Sequence, residues 1–314
     1  MIYVFMGGRL GNQLFRYACA RKIKEDFPEK KIVLDFERVS RHRQEEEDYL
    51  SSILELNITD CEVINNEEPY LQPYDKVCRF LKKYNSYIKK IGVDAERAIS
   101  WRNRLNLLFK KYNVIYSDDY TEFEYTGKGN IYIYGCVESE RYFGKIRNIL
   151  LDELKPKVDL RKEYNYFFKM ICETNAVCIS VRRWSVIHPE QNRIMGVCSR
   201  QYYKNAINIV ENSVINPSFF VFSNDIAWVR DTFDCDGRDV IYEPEGLTIG
   251  EKLLLMTACK HFIIPNSTFG WWIQYLSVNE NKMVVGPDKW NNVKYRNPDL
   301  TLDYFTVIKR NKYE

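Results

Sequence analysis

The feature that most constrains this chain is a strand handing over to a helix through a glycine turn, with the same alternation restarting in the second half. Ile2-Tyr3-Val4-Phe5-Met6 reads as an apolar strand. Gly7-Gly8-Arg9-Leu10-Gly11-Asn12-Gln13 reads as a tight turn, and 14–27 as a helix that Pro28 closes. Further strands are predicted at 31–36 and 130–135. In the second half strands are predicted at 176–181, 219–222, 240–242, 262–264 and 283–285, with helices at 199–210, 225–233, 250–259 and 270–276. This alternation builds parallel sheets covered by helices, so the expected class is α/β, with two Rossmann-like domains facing a cleft. The length of 314 residues exceeds what one core usually serves, which agrees with two domains.

A charged, proline-containing stretch at 151–169 is the predicted linker. It divides the chain into a first domain at 1–155, a second at 156–290, and a C-terminal tail at 291–314. Within the first domain, 76–113 forms a basic helical insertion. Lys76, Arg79, Lys82, Lys83, Lys89, Lys90, Arg97, Arg102, Arg104, Lys110 and Lys111 face only Asp94 and Glu96, with aromatic and aliphatic residues interleaved. Either this is a solvated insertion or it meets anionic lipid or a lipid-linked substrate.

Composition enters by exclusion. With 46 Lys+Arg against 43 Asp+Glu, the net charge is +3, which excludes a disordered polyelectrolyte and argues against a nucleic-acid partner. Nine scattered Cys without a Cys-x-x-Cys pair point to reduced thiols, and three His lack metal-ligand spacing. No run approaches the ~18 apolar residues of a membrane span, and Met1 leads directly into a strand. The expected location is the cytoplasm, including its membrane face.

Four clusters follow predicted strands, the edge where open α/β sheets bind ligands. In the first, the glycine turn with Arg9, Gly11, Asn12 and Gln13 suits either a phosphate or sugar site or a structural turn. In the second, Arg182 and Arg183 suit a diphosphate or an interdomain salt bridge. The third is Asn266, Ser267 and Thr268, which open a helix and serve as caps or as phosphate ligands. The fourth ends at Asp225, a base or ribose contact or an N-cap. Asp234-Cys235-Asp236 and Asp118-Asp119 match acidic metal patterns by spacing alone, and no metal site is assigned to them.

Together these segments resemble one family, the α-1,2-fucosyltransferases of glycosyltransferase family 11. Gly7-Gly8-Arg9-Leu10-Gly11-Asn12-Gln13-Leu14-Phe15 is similar to the family's N-terminal motif. Gly135-Cys136-Val137-Glu138-Ser139-Glu140-Arg141-Tyr142-Phe143 resembles its Gly-Tyr-x-Gln-Ser-Glu-Lys-Tyr-Phe segment. Further similar segments follow in the family's order at 198–203, 220–225, 255–261 and 266–272.

The resemblance implies a GT-B-type enzyme with GDP-fucose as donor substrate, an inverting mechanism and neither cofactor nor metal. It places acceptor binding on the first domain and the GDP-sugar on the second. It makes Arg182 the β-phosphate ligand, Asp225 the guanine contact, and Asn12, Ser267 and Thr268 neighbours of the donor. The acceptor is a glycan, galactose-ended or lipid-linked. Glu138 and Glu140 are base candidates, with Asp35 a weaker third. One motif departs from the family: His-x-Arg-Arg-Gly-Asp is replaced by Ser180-Val181-Arg182-Arg183-Trp184-Ser185. A degenerate GDP-sugar-binding protein and a transferase for another GDP-sugar or linkage therefore stay open.

Overall fold

The computed structural model describes the chain except for residues 37–51, 65–79, 81, 82, 85, 88–94, 117–119, 123, 124, 126, 158, 184–188, 234–236, 293–297 and 311–314. It divides into two compact units. Met1–Leu154 with residues 298–300 form the N-terminal unit, and Lys155–Asn292 with the chain from Thr301 form the C-terminal one. Each is an α/β unit with a wholly parallel sheet, the Rossmann-like architecture expected of a GT-B enzyme.

The N-terminal unit contains strands β1 (Ile2–Phe5), β2 (Ile32–Asp35), β3 (Cys61–Ile64), β4 (Val114–Tyr116) and β5 (Ile131–Tyr134), in the order β3-β2-β1-β5-β4. Strands β1, β2 and β5 occupy the predicted runs. Helix α1 (Leu10–Asp26) follows the glycine turn and buries every residue from Gln13 to Ala20. Its middle turns are buried all round, while the charged last turn from Arg21 to Asp26 reaches solvent. Helix α2 (Ala95–Lys110) lies within the basic insertion and leads into β4. Its Leu105 and Phe109 pack on Val114, Tyr116 and Tyr132. Side chains at alternate strand positions share a face, so Tyr3 stacks on Tyr132 and Tyr116 on Tyr134, with centroids 5.3 and 5.5 Å apart. Helix α3 (Arg147–Glu153) closes the unit, and its Glu153 accepts from Tyr17 and Arg21 at 2.7 and 2.8 Å.

The C-terminal unit contains α4 (Asn165–Glu173), β6 (Asn175–Val181), α5 (Pro189–Met195), α6 (Arg200–Glu211), β7 (Pro217–Ser223), α7 (Ile226–Thr232) and β8 (Val240–Tyr242). It continues with α8 (Ile249–Thr257), β9 (His261–Ile263), α9 (Thr268–Leu276), β10 (Val284–Pro287) and β11 (Phe305–Ile308). The strand order is β11-β10-β9-β6-β7-β8. On one face Val177, Ile179, Phe219 and Val221 pack against Tyr202, Tyr203, Ala206 and Ile207 of α6. On the other, Phe167 of α4 meets Phe220 and Phe222 edge-on at 5.5 and 6.0 Å. Each such fully buried aromatic contributes roughly 1.5–3 kcal/mol. Trp271 and Trp272 are wholly buried in α9.

The segment at 291–314, expected as a tail, is shared by both units. Asp299 bridges to Ser139 of the N-terminal unit, and β11 extends the C-terminal sheet in register with β10. The units meet at Leu154–Lys155, inside the predicted linker, and α4 already begins at Asn165. Among the described residues no helix is long and apolar enough to cross a membrane. The seven described cysteines are free thiols, and burial pushes Cys19 up to about 12.

Candidate active site

In the C-terminal sheet the strand order reverses between β6 and β9, and in the N-terminal sheet β1 and β5, far apart in sequence, lie side by side at the centre. Loops leaving neighbouring strands at such a point diverge to opposite faces and open a crevice at the carboxyl edge. The clusters singled out in the sequence lie at these two edges.

At the N-terminal edge, Gly8 turns the chain with φ +73°, and a Cβ there would collide with the Asn12 side chain. Arg9 stands at the N-cap of α1 without a side-chain capping bond, and its carbonyl accepts from the Asn12 N–H at 2.9 Å. Arg9 and Asn12 are half-buried, and Gly11 is buried in the first turn. Gln13 is buried and donates Nε2 to the Gly8 carbonyl at 2.9 Å. Its side chain braces the turn from inside.

The partner loop leaves β5. Val137 sits at φ +46°, a left-handed conformation that a β-branched residue adopts only under constraint, at a cost of order 1–3 kcal/mol. The Ser139 N–H returns to the Val137 carbonyl at 2.9 Å, which folds Glu138 into the apex of a three-residue turn. Glu138 is 4% exposed. Ser139 is wholly buried and donates Oγ to Asp299 at 2.7 Å, anchoring the turn. Glu140 is half-buried and opens a 3-10 turn beside Gly144. Asp35, the third base candidate, is buried at the end of β2.

Arg16 joins the two loops and was missed in the sequence. Its Nε donates to the Gly135 carbonyl at 2.8 Å, one terminal nitrogen donates to the Gly7 carbonyl, and the other faces Cys136 Sγ at 3.8 Å. The available signal was one arginine inside the otherwise apolar run Leu14-Phe15-Arg16-Tyr17-Ala18.

At the C-terminal edge, Arg182 and Arg183 follow β6 directly, both half-buried. Asn224 grips the Arg183 backbone reciprocally, accepting its N–H and donating to its carbonyl, each at 2.9 Å. The Arg183 guanidinium donates to Asp225 Oδ2 and lies 4.3 Å from the Trp228 ring centroid. Asp225 Oδ1 accepts from the Trp228 N–H at 3.4 Å and caps α7. Both Asp225 oxygens therefore have partners within the protein, so it is the N-cap the spacing allowed. Ser180, which replaces the family histidine, is buried, and its carbonyl accepts from the Tyr203 hydroxyl at 3.1 Å. Trp184 and Ser185 lie outside the described residues.

Across the switch point, Ser267 is the N-cap of α9, but its side chain makes no capping bond. Thr268 opens its first turn, where helix N–H groups point outward along the axis. Gly270 is explained by space: a Cβ there would lie 3.0 Å from Pro265 Cδ. Asn266 is 3% exposed, and its Nδ2 donates to the carbonyls of Met195, Gly196 and Trp290 at 2.9, 3.0 and 3.2 Å. Its amide thereby ties three loop segments together beside the start of α9.

Behind this edge lies a charged network with no sequence signature. Glu243 is wholly buried. Its Oε1 accepts from the Ser223 N–H at 3.0 Å and from Lys252 Nζ at 2.9 Å, while Oε2 has no partner. Burial pushes its carboxyl above the usual range, and Lys252 opposes the shift. Lys252 also donates to the Ser223 carbonyl at 2.7 Å, so the peptides on both sides of Ser223 are fixed just before Asn224 and Asp225. Among the described residues no cluster of three acidic, histidine or cysteine side chains could hold a metal ion. Asp234-Cys235-Asp236 and Asp118-Asp119 lie outside them.

Comparison with known proteins matches this arrangement to a family. The model of glycosyl transferase family 11 covers residues 1–299. The O-antigen biosynthesis glycosyltransferase WbnK of Escherichia coli is 26% identical over 306 residues, 92% of this chain and 94% of that one. An α-1,2-colitosyltransferase of Escherichia coli is 26% identical over 291 residues, 91% and 90% of the two chains. Galactoside α-(1,2)-fucosyltransferase 2 of Hylobates lar is 27% identical over 172 residues, about half of each chain. The NodZ α-1,6-fucosyltransferase structure soaked with GDP-fucose superposes with TM-score 0.49 and 15% identity, covering 88% of this chain and 91% of that one. With the family model matched over residues 1–299, the chain belongs to glycosyl transferase family 11 and is a glycosyltransferase.

Proposed function

We propose that the enzyme transfers fucose from GDP-fucose to a glycan hydroxyl, galactose O2 in α-1,2 linkage, with inversion at the sugar carbon and without a metal ion. The observation that carries this reading is the pairing, at one switch point, of Arg182 after β6, its neighbour Arg183 braced by Asp225, with the uncapped start of α9 after β9. Guanidinium forks and helix N–H groups are the donors a nucleotide diphosphate takes. Two relatives, an α-1,2-colitosyltransferase and a galactoside α-(1,2)-fucosyltransferase, support the linkage.

In the proposed step the acceptor oxygen attacks the sugar carbon. The bond from that carbon to the β-phosphate oxygen breaks, and its electron pair leaves with GDP. Arg182 neutralises the charge that gathers on the phosphate, assisted by Ser267, Thr268 and the α9 N–H groups. Arg183, fixed by Asn224 and Asp225, holds the strand-end loop in place. The glycine turn with Arg9, Gly11 and Asn12 takes a further polar part of the substrates. The acceptor proton passes to a carboxylate, and Glu138 is favoured over Glu140 because it is buried and set rigidly in a strained turn.

The O-antigen biosynthesis relative supports a glycan acceptor, and the proposal extends to a lipid-linked one met at the cytoplasmic face of the membrane. A second reading, transfer of colitose, is favoured by the colitosyltransferase relative. A donor comparison of GDP-fucose and GDP-colitose against galactose-ended oligosaccharides, with linkage analysis of the product, separates these readings. GDP binding without transfer to any acceptor would leave only a sugar-nucleotide-binding role.

A further inference from the structure

The outer face of α2 combines apolar bulk with positive charge. The helix turns Leu105 and Phe109 into the aromatic cluster on β4 and β5. On the opposite side Arg97, Ser100, Arg104, Leu107, Leu108 and Lys111 recur at helical spacing and are all exposed. Tyr112 continues the stripe beyond the helix end. Leu107 is 67% exposed, Leu108 57% and Tyr112 69%. Scattered exposed apolar residues need no explanation, but three adjoining ones at one helix end form a patch. Phe80, also exposed, lies against the same end through Phe109, with centroids 6.4 Å apart. From Arg97 to Ser117 the sequence holds five basic residues and no acidic one.

We infer that this face docks on an anionic lipid bilayer. Leu107, Leu108 and Tyr112 enter the boundary between headgroups and acyl chains, and Arg97, Arg104 and Lys111 reach the lipid phosphates. Charge decides between the occupants. A second copy of the chain would bring an identical basic face, and juxtaposed like charges oppose pairing. A bilayer satisfies both halves of the stripe at once, because long Lys and Arg stems lie along apolar surface while their heads stay at the phosphates. The face contains none of the residues assigned to the reaction, so it stands independently of the proposed chemistry.

The test is flotation of the full chain with vesicles of phosphatidylcholine alone and with about one third phosphatidylglycerol, at low and high salt. Binding is expected to favour the anionic vesicles by about tenfold or more and to weaken with salt. Leu107→Glu with Leu108→Glu should abolish it. Arg104→Gln with Lys111→Gln should weaken it about fivefold per charge removed. All four positions are exposed, so unchanged thermal midpoints certify intact folds. Equal partition into neutral and anionic vesicles would overturn the inference, as would full binding by the double-leucine variant. Self-association that this variant abolishes, without vesicle binding, would also overturn it and assign the face to a second copy.

Discussion

Arg183 and Asp225 are joined by an ion pair between the ends of adjacent strands β6 and β7, and Asn224 fixes the same arginine by its backbone. The residue in line for guanine is thereby occupied with an arginine and a helix cap. If Asp225 acts by holding Arg183, Asp225→Asn should weaken GDP and ADP binding to a similar extent, about tenfold or less. A selective loss of preference for GDP, read by calorimetric titration of both nucleotides, would instead make Asp225 a base contact. Asp225→Ala should in addition cost roughly 0.5–2 kcal/mol of stability through the lost cap.

Arg182→Ala should lower turnover with GDP-fucose by roughly 10²–10³-fold, the scale of losing one donor to developing charge. The thermal midpoint should barely move. Near-normal turnover would remove Arg182 from the diphosphate. Turnover should also survive excess EDTA, and dependence on a divalent ion would redirect attention to Asp234 and Asp236.

Glu138→Gln keeps the shape of the turn and removes the base. Turnover should fall by roughly 10²–10⁴-fold while GDP affinity stays within about twofold. Glu140→Gln, at a half-buried position outside the turn apex, should retain most activity. The reverse ranking, measured as kcat against donor KM for both variants, would exchange their roles.

Lys252→Met strands the Glu243 carboxylate in the core without its counter-charge. Removing one partner of a buried pair costs about 3–5 kcal/mol. Chemical unfolding should show this loss, and a change near zero would mean that Glu243 is already neutral when folded.

The C-terminal unit should also weaken in acid through Glu251. Arg161 donates to both its oxygens at 2.8 and 2.6 Å, and the Thr248 N–H donates at 2.9 Å. Hydrogen bonding from Arg161 leads the effects that hold this carboxyl down at about 2, against an ordinary 4.5. The folded value lies below the unfolded one. The contribution is therefore complete above about pH 4.5 and is lost as pH falls towards 2. Urea unfolding across that window should show a shallower acid dependence for Glu251→Gln than for the native chain.

Much of this was legible where apolar runs and punctuation coincide. Strand β1, the glycine turn and α1 could be read because an apolar run, three glycines and Pro28 follow one another. Strands β3, β4 and β11 were not. They have three or four residues each, and all three lie at sheet edges, where short runs leave little periodicity. The arginine pair after β6 was visible, whereas the role of Asn266 was not. Its carbonyl partners lie 71, 70 and 24 residues away, and backbone acceptors leave no trace in side-chain identity. Arg16 was hidden for the same reason, with a key partner 119 residues distant.

The chain reaches Asp299 only after completing most of the C-terminal unit, yet Asp299 belongs to the N-terminal one. The two halves are thus interleaved and do not follow one another as beads on a string. A chimera that exchanges the C-terminal half between relatives at a single join after Leu154 would import a foreign anchor for Ser139, and with it a foreign setting for Glu138. Exchange of intact modules needs three joins, after Leu154, Asn292 and Leu300. Recombination at one point would therefore mix the Glu138 turn of one parent with the brace of another, which favours changing sugar preference by substitutions within a unit.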